Sequence, residues 1–360
     1  MRITFFIGSM QGGGAERVIS ELSNYFCSVG HEVRILIFEE GESVYPLDNR
    51  VKLEFLHLKE ECRKGKLQLY LSRMHRLKTY IKKSQTDVFI VFTDMPIIMF
   101  LLNGKASKVP IIISERNSPQ KYRKWEQHLL KVLVKRTHGI VFQTKEALKW
   151  YKPYINNNIK TWIIPNPIST SFLDHPIETK KENRLVAVGR LSEQKNYPLL
   201  IEAFSDIADQ IPDYTLDIYG IGEDETRLKN MVNSLNIQNR VLFHGFSKNI
   251  IKDIFKAKLY IMTSNFEGMP NSLMEALALG IPSISTDCPA GGPRELIKHN
   301  QNGVLINMND KEALKNEIIR IIYDDELQWQ FSNNSKETMA AFHPSKIGTI
   351  WLNAINELVK

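Results

Sequence analysis

Two carboxylates flank a turn in the stretch FEGMPNSLMEAL, where Glu267 and Glu275 lie eight residues apart. The stretch follows an apolar, strand-like run and precedes an apolar, helix-like run. The turn between the acids can therefore present backbone N–H groups at a helix N-terminus, where sugar hydroxyls or a phosphate can bind. A structural interpretation competes with this one, because Ser272 and Glu275 have the spacing of a capping box. That interpretation leaves Glu267 as a solvated acid beside the apolar Phe266, where a structural loop does not need one.

Two cations straddle another turn, VGRLSEQKN (188–196), at the end of a predicted strand. The planar guanidinium of Arg190 and the point charge of Lys195 suit a diphosphate. Solvated charges in an ordinary polar loop explain the same two residues equally well when this loop is considered alone.

A glycine-rich turn, IGSMQGGGAERV (7–18), follows the first predicted strand and opens a helix. Its backbone N–H groups can cradle an anion. A dinucleotide-binding fingerprint is incomplete here, because Arg17 stands where a third glycine should follow Gly12 and Gly14. Glu39, at the end of the second strand, could still imitate the ribose-binding acid of that fingerprint. A Walker A loop is excluded, since no Gly-Lys-Ser/Thr follows the glycines.

Two more loops rich in glycine follow predicted strands. Gly220 and Gly222 in IYGIGEDETRL (218–228) precede an acidic helix start, and a tight turn into a helix explains them well. The second loop, TDCPAGGPREL (286–296), predicts another wall of the same site.

Short apolar runs rich in β-branched residues alternate with helical patterns along the chain. This alternation predicts an α/β protein with two doubly wound, Rossmann-like domains facing a central cleft. Ligands of open α/β sheets bind beyond the carboxyl ends of the strands, which is where the motifs above fall. The predicted strands are 2–7, 33–38, 51–55, 87–92, 110–114, 139–143, 160–164, 185–189, 214–220, 240–245, 258–262, 281–286 and 303–306.

A proline-rich segment without periodicity separates the two halves and predicts an inter-domain linker at 166–183. We expect an N-terminal acceptor domain at 1–165 and a C-terminal donor domain at 184–344. The last helix, 345–360, carries an apolar stripe that must pack on something, and we assign it to the N-terminal domain.

The formal net charge of +7 is concentrated in two segments. Residues 62–83 carry eight Lys or Arg and no acid, and residues 121–136 carry six against one Glu. Both have helical apolar spacing, so they could lie on anionic lipid headgroups or be solvated helix faces. We favour a membrane surface; no recognition motif supports nucleic acid, the third option.

Cysteine usage and the apolar runs indicate the compartment. The three cysteines, Cys27, Cys62 and Cys288, are far apart and form no C-x-x-C, which argues against disulfides or a zinc site. No signal peptide precedes the first strand. The most apolar run, 88–102, is interrupted by an aspartate and a proline, so we expect no membrane span. These features predict a cytoplasmic protein.

Together, GGGAERV, VGRLSEQKN, FEGMPNSLMEALALGIPSIST and TDCPAGGPREL resemble family 4 of the retaining glycosyltransferases, which have the GT-B fold. The resemblance covers essentially the whole chain, with the motifs in the right order. It implies that Glu275 holds the ribose of a sugar nucleotide and that Glu267 lies beside the transferred sugar. It also implies that Arg190 and Lys195 neutralise the leaving diphosphate, so that no metal and no cofactor is needed.

The same resemblance implies a set of donor-binding residues, with the base near Gly245 and Phe246. The glycine turn of the first domain would close over the donor and help seat the acceptor. The implied set is Glu275, Gly13, Gly14, Gly220, Gly222, Gly245, Phe246, Gly268, Met269, Pro270, Asn271, Ser272 and Leu273.

One position departs from the family pattern. Many relatives have a histidine after the strand that here reads IIISERNSP, and this chain has Arg116 at about that position, next to Glu115. The role of the histidine is therefore not carried over. We predict that Arg116 contacts sugar or phosphate and that Glu115 faces the acceptor hydroxyl.

Within the family, the chain resembles enzymes that extend bacterial surface polysaccharides or lipid-linked oligosaccharides, including α-1,4-N-acetylgalactosaminyltransferases acting on undecaprenyl-diphosphate-linked sugars. The resemblance implies transfer of a hexose or N-acetylhexosamine from a UDP-sugar to a lipid-linked glycan at the inner face of the membrane. Alternatives are a sugar-nucleotide epimerase on the GT-B fold and a lipopolysaccharide core glycosyltransferase. A dinucleotide-dependent oxidoreductase and a non-catalytic basic binding protein explain the strand-end motifs less well.

Overall fold

The computed structural model describes residues 1–60, 65–116 and 122–359, apart from the side chain of Lys66. The first residues of the two basic segments, 62–64 and 121, lie outside this range.

Two parallel sheets form the framework of the described residues. The first has seven strands in the order β3-β2-β1-β4-β5-β6-β7, and the second has six in the order β10-β9-β8-β11-β12-β13. The predicted doubly wound α/β fold is confirmed, and each strand end lies within three residues of its predicted position. The strands are β1 (Arg2–Phe6), β2 (Glu32–Glu39), β3 (Lys52–His57), β4 (Val88–Phe92), β5 (Ile111–Ser114), β6 (Gly139–Phe142), β7 (Lys160–Ile163), β8 (Glu182–Val188), β9 (Thr215–Tyr219), β10 (Val241–Gly245), β11 (Ala257–Met262), β12 (Ser283–Thr286) and β13 (Val304–Ile306).

The central strands are apolar along their whole length because helices cover both faces of each sheet. Every residue of β4, β5 and β6 is buried, and so is every residue of β12. The helices are α1 (Gly14–Ser28), α2 (Lys66–Lys83), α3 (Asp94–Asn103), α4 (Lys124–Leu133), α5 (Lys145–Tyr151), α6 (Thr170–Leu173), α7 (Tyr197–Ile207), α8 (Glu225–Ser234), α9 (Ile250–Ile254), α10 (Asn271–Ala278), α11 (Gly292–Leu296), α12 (Lys311–Tyr323), α13 (Asp325–Met339) and α14 (Pro344–Asn356).

The chain divides into two compact units, of which the first comprises Met1–Pro167 with Pro344–Lys360 and the second comprises Ile168–His343. Helix α14 belongs to the first unit, where it buries the stripe of Ile347, Trp351 and Ile355.

The segment predicted as a linker, 166–183, contributes residues to the second unit. Ile168 and Phe172 are buried in the core of the second unit, and β8 begins already at Glu182. An aperiodic, proline-rich sequence does not reveal that two of its apolar side chains pack into a domain core.

Both sheets reverse their strand order next to their first strand. The reversal lies between β1 and β4 in the first sheet and between β8 and β11 in the second. In doubly wound sheets this switch point, at the carboxyl ends of the strands, is where ligands bind. No helix in the described part of the chain is long and apolar enough to cross a membrane.

Candidate active site

The switch point of the second sheet brings together two of the predicted motifs. Strands β8 and β11 pair directly, so the loops that follow them lie side by side. The loop after β8 carries Arg190 and Lys195, and the loop after β11 carries Glu267. Side chains 72 residues apart in sequence therefore meet at the sheet edge where chemistry is expected.

Lys195 and Glu267 form a buried ion pair across this switch point. Lys195 Nζ lies 2.7 Å from Glu267 Oε1, and the two side chains are only 14% and 9% exposed. The same carboxylate oxygen accepts a hydrogen bond from Ser264 Oγ at 2.9 Å, and the Glu267 backbone N–H donates to the Pro289 carbonyl oxygen at 2.6 Å. The pair thus fixes an ammonium beside a carboxylate, an arrangement suited to a ligand that carries both phosphate and hydroxyl groups.

The backbone at Lys195 is fixed by a side chain that follows β11. Thr263 Oγ1, after β11, donates to the carbonyl oxygens of Lys195 and Asn196, at 3.0 Å each. A Cβ atom on Gly189 would come within 2.6 Å of Lys195 Cε, so a larger residue there would displace the lysine side chain.

The glycines after β9 have a packing role that the sequence interpretation missed. A Cβ on Gly220 would overlap the Gly189 carbonyl oxygen, and a Cβ on Gly222 would overlap the Leu191 carbonyl oxygen. In addition, the Leu191 N–H donates to the Ile221 carbonyl oxygen at 3.0 Å. These glycines allow the loops after β8 and β9 to pack backbone against backbone, in addition to opening α8.

Other predicted donor-side residues are open to solvent. Arg190 is exposed, and its guanidinium makes no ion pair or hydrogen bond with any residue the structure describes. Phe246 is 55% exposed and directly follows Gly245, whose φ of +70° favours glycine. Both side chains are therefore available to a ligand, Arg190 after β8 and Phe246 after β10, two strands that β9 separates in the sheet.

The second glutamate of the opening motif lies inside helix α10. The helix begins at Asn271 with Pro270 at its N-cap, and no side chain caps it. Ser272 is thus within the helix, where its Oγ accepts a hydrogen bond from Tyr260 at 2.9 Å, so the capping-box interpretation does not describe this terminus. Glu275 is buried at 4% exposure, and the neighbouring Leu273 is also buried.

The loop after β12 presses against the turn between the two glutamates. A Cβ on Gly292 would overlap the carbonyl oxygen of Gly268, so the two loops touch through their backbones. Cys288 is buried in the same loop; burial, and then the charge of Glu267, raise the pKa of its thiol to about 12. Sequence reasoning placed this loop as a wall but gave no signal for the supporting contacts of Ser264 and Pro289.

In the first unit, the glycine turn ends at α1. Gly12 has φ +114°, Gly13 is the N-cap, and the helix begins at Gly14. A Cβ on Gly13 would overlap the carboxylate of Glu16, so an acid of the chain itself already lies at this helix N-terminus. Glu39, the possible ribose-binding acid of a dinucleotide site, is paired instead with Arg73 of α2.

Glu115 is held by tyrosines at the carboxyl end of β5. Its Oε1 accepts from the Tyr122 hydroxyl at 2.5 Å, and its Oε2 accepts from the Tyr151 hydroxyl at 2.6 Å. Burial, and then the charge of Glu115, raise the pKa of both hydroxyls well above the usual range. The Glu115 carboxylate is buried at 2% exposure, and its contact with an acceptor hydroxyl stays a prediction.

Arg116 is buried beside it, with 8% exposure. Its Nη1 donates to Asn166 Oδ1 at 2.5 Å, and its guanidinium lies 4.5 Å from the ring centroid of Phe92. The described residues contain no group of three or more His, Cys, Asp or Glu side chains that could hold a metal ion.

Models of glycosyltransferase families match both halves of the chain. The family model described as Glycosyltransferase Family 4 matches residues 12–172, and the model described as Glycosyl transferases group 1 matches residues 172–338.

Two curated relatives align with the chain almost from end to end. A Campylobacter jejuni GalNAc-α-(1→4)-GalNAc-α-(1→3)-diNAcBac-PP-undecaprenol α-1,4-N-acetyl-D-galactosaminyltransferase is 30% identical over 99% of this chain and 99% of its own length. The amylovoran biosynthesis glycosyltransferase AmsD of Erwinia amylovora is 26% identical over 97% of each chain. Among solved structures, Anabaena HepE in complex with UDP and glucose superposes with a TM-score of 0.84 at 18% identity, over 99% of this chain and 100% of that one. The structural likeness confirms the predicted GT-B fold.

Proposed function

We propose that this chain, which belongs to the family 4 glycosyltransferases, transfers a hexose or N-acetylhexosamine from a UDP-sugar to an undecaprenyl-diphosphate-linked glycan, with retention of the α configuration. The reaction would extend a bacterial surface polysaccharide or another lipid-linked glycan. The observation that carries the proposal is the buried Lys195–Glu267 pair at the switch point of the second sheet.

The proposed donor site uses the strand ends of the second unit. Glu275 would bind the ribose hydroxyls, and the base would lie near Gly245 and Phe246. The turn from Gly268 to Pro270 and the first residues of α10, up to Leu273, would bind sugar hydroxyls and phosphate. Support for UDP comes from Anabaena HepE, which was solved with UDP and glucose.

Charge neutralisation is the main chemical task of this site. When the bond between the anomeric carbon and the diphosphate oxygen breaks, its electron pair passes to the phosphate and positive charge develops on the sugar. Arg190 and Lys195 would stabilise the departing diphosphate. Glu267, fixed by Lys195 and Ser264, would lie beside the sugar that becomes cationic. These residues supply the neutralising charge from the protein, so the proposal needs no resident metal.

The acceptor assignment rests on relatives and on charge. The printed name of the Campylobacter relative describes an undecaprenol-diphosphate glycan, and AmsD takes part in amylovoran biosynthesis. A membrane-borne acceptor also suits the two basic segments of the first unit. Helices α2 and α4 expose apolar side chains among their cations, namely Leu67, Leu71, Trp125 and Val132.

Reversing the charge of four exposed lysines should weaken binding to anionic vesicles. We choose Lys78, Lys82, Lys83 and Lys124, because Arg73 of the same segment is turned inward onto Glu39. Each cation near an anionic surface contributes about 1 kcal/mol, so the fourfold Lys→Glu variant should lose most of its vesicle binding at low salt. The measurement is co-sedimentation with vesicles that contain phosphatidylglycerol.

The matched control reverses four exposed lysines of the second unit, Lys180, Lys248, Lys252 and Lys298. Equal losses of vesicle binding in both variants, or no loss in either, would indicate that the basic segments are solvated helix faces and not a membrane-binding surface.

The function itself is tested with an undecaprenyl-diphosphate-linked glycan in vesicles and a panel of UDP- and GDP-sugars. Mass spectrometry should show addition of one hexose or N-acetylhexosamine from a UDP-sugar, in the presence of EDTA. The anomeric proton of the product, measured by NMR, should show an α linkage. A β linkage would contradict the retaining mechanism, and conversion of the sugar nucleotide without an acceptor would point to the epimerase alternative.

A further inference from the structure

One edge of the Arg116 guanidinium is buried and makes no hydrogen bond to any described residue. The two atoms are Nε and Nη2, and the remaining nitrogen, Nη1, donates to Asn166. The Nε–H and Nη2–H bonds of an arginine point in the same direction. This edge binds carboxylates and phosphates through two parallel hydrogen bonds.

Two other arginines of this chain use the same edge on a carboxylate. Arg50 donates from Nε and Nη2 to Asp48 at 2.9 and 2.7 Å, and Arg227 donates from the same two atoms to Asp224 at 3.3 and 2.9 Å. The edge of Arg116 is therefore complementary to a group with two anionic oxygens.

The neighbouring acid does not take this place. Glu115 accepts hydrogen bonds from Tyr122, from Tyr151 and from the Arg116 backbone N–H, and it makes no ion pair with the Arg116 guanidinium. Phe92 covers one face of the guanidinium, and the Trp351 ring centroid lies 5.8 Å away. Burial lowers the pKa of Arg116 to about 9, and the charge of Glu115 only partly opposes this.

A purely structural role does not explain a cation held in this way. A buried charge that forms no direct ion pair with a described residue destabilises the fold, and an apolar or neutral side chain would pack here at less cost. Buried groups that lack hydrogen bonds in native proteins require an explanation, and ligand binding is one.

We propose that Arg116 is an oxyanion receptor that binds a phosphate group of a diphosphate substrate, and that Tyr122 and Tyr151 keep Glu115 from occupying it. This inference rests on the proposed function, in which both substrates carry a diphosphate and the transferred sugar carries no charge. Arg116 follows β5 at the carboxyl edge of the first sheet, where ligands of such sheets bind. The phosphate belongs either to the nucleotide donor or to the lipid-linked acceptor.

Calorimetric titration of the full-length protein with UDP and, separately, with farnesyl diphosphate tests the receptor. Arg116→Gln should weaken one of the two affinities about 10- to 100-fold, the value of a charge-assisted pair of hydrogen bonds. Arg116→Lys should weaken the same affinity, because an ammonium lacks the fork. The unfolding temperature of Arg116→Gln should not fall, since the substitution removes a buried charge that forms no direct ion pair with a described residue.

Two further variants separate binding from folding. Tyr122→Phe combined with Tyr151→Phe releases Glu115 to pair with Arg116, and it should weaken the same affinity without changing the receptor itself. Arg34→Gln is the matched control, because the Arg34 guanidinium has its own carboxylate partner, Glu32, at 2.8 Å. It should leave both affinities unchanged.

Each outcome of the titrations either supports the assignment of Arg116 as an oxyanion receptor or overturns it. Loss of UDP binding assigns the receptor to the donor, and loss of farnesyl diphosphate binding assigns it to the acceptor. Unchanged affinities for both in Arg116→Gln overturn it, whether or not the unfolding temperature falls, and so does a wild-type protein that binds neither. If Glu275→Ala abolishes UDP binding while Arg116→Gln changes nothing, the inference fails and the proposed function stands. If the wild type does not bind UDP, the proposed function fails.

Discussion

Lys195→Met should lower kcat about 10²- to 10³-fold, the usual effect of removing one group that stabilises developing negative charge. It should also lower the unfolding free energy by roughly 3–5 kcal/mol, because Glu267 would remain as a buried carboxylate without its cation. Both side chains are well shielded, at 14% and 9% exposure, so solvent does not screen this loss. Steady-state kinetics and denaturant unfolding measure the two effects on one preparation.

A double variant separates catalysis from stability. Lys195→Met with Glu267→Gln removes both charges, so most of the lost unfolding free energy should return while kcat stays low. A double variant as unstable as the single one would show that the ion pair does not determine the local stability. A Lys195→Met enzyme with wild-type activity would show that Lys195 takes no part in catalysis.

Gly292→Ala should reduce activity about 10²-fold, although residue 292 carries no chemistry. The new Cβ would overlap the Gly268 carbonyl oxygen, so the loops after β11 and β12 must move apart. A displacement of about 1 Å at a site that positions reacting groups can cost about 10²-fold in rate. The overpacking itself should cost about 1–3 kcal/mol of stability. Kinetics together with thermal unfolding of the variant report both quantities.

Gly30→Ala is the matched control for this substitution. Gly30 has φ +88°, and no described atom lies within 4 Å of the position that the alanine methyl group would take, so the substitution adds backbone strain without overlap. It should cost about 1–2 kcal/mol and leave kcat unchanged. If Gly292→Ala behaves like Gly30→Ala, the contact between the two loops does not position the site.

The sheet could be predicted because its strands are buried on both faces. A run such as VFIVF in β4 is apolar throughout. This pattern can be recognised in the sequence without knowing which strands and helices contact it. The beginning of β8 could not be found in this way. Its first residues are polar, and Arg184 is fixed by Asp217 of the neighbouring strand at 2.5 Å, a contact that exists only after folding.

The candidate site was predictable to the level of its loops but not of its contacts. Strand-end motifs placed Lys195 and Glu267 at one sheet edge, whereas the direct ion pair depends on the pairing of β8 with β11. The tyrosines that hold Glu115 come from α5 and from the segment before α4. Nothing in the sequence near either tyrosine indicates that it contacts Glu115. A solvent-exposed loop acid and a buried one therefore cannot be distinguished from the sequence.

In the proposed function, the second unit binds the nucleotide of a UDP-sugar through Glu275 and Arg190. Thermal unfolding with UDP, GDP, ADP and NAD at equal concentration tests it most directly. A ligand present at 100 times its dissociation constant adds about 2.7 kcal/mol of stability, which is readily detected as a shift in unfolding temperature. We predict a shift with UDP alone, lost in Glu275→Ala and in Arg190→Ala. A shift with NAD alone, or a UDP shift that survives both substitutions, would contradict the assignment.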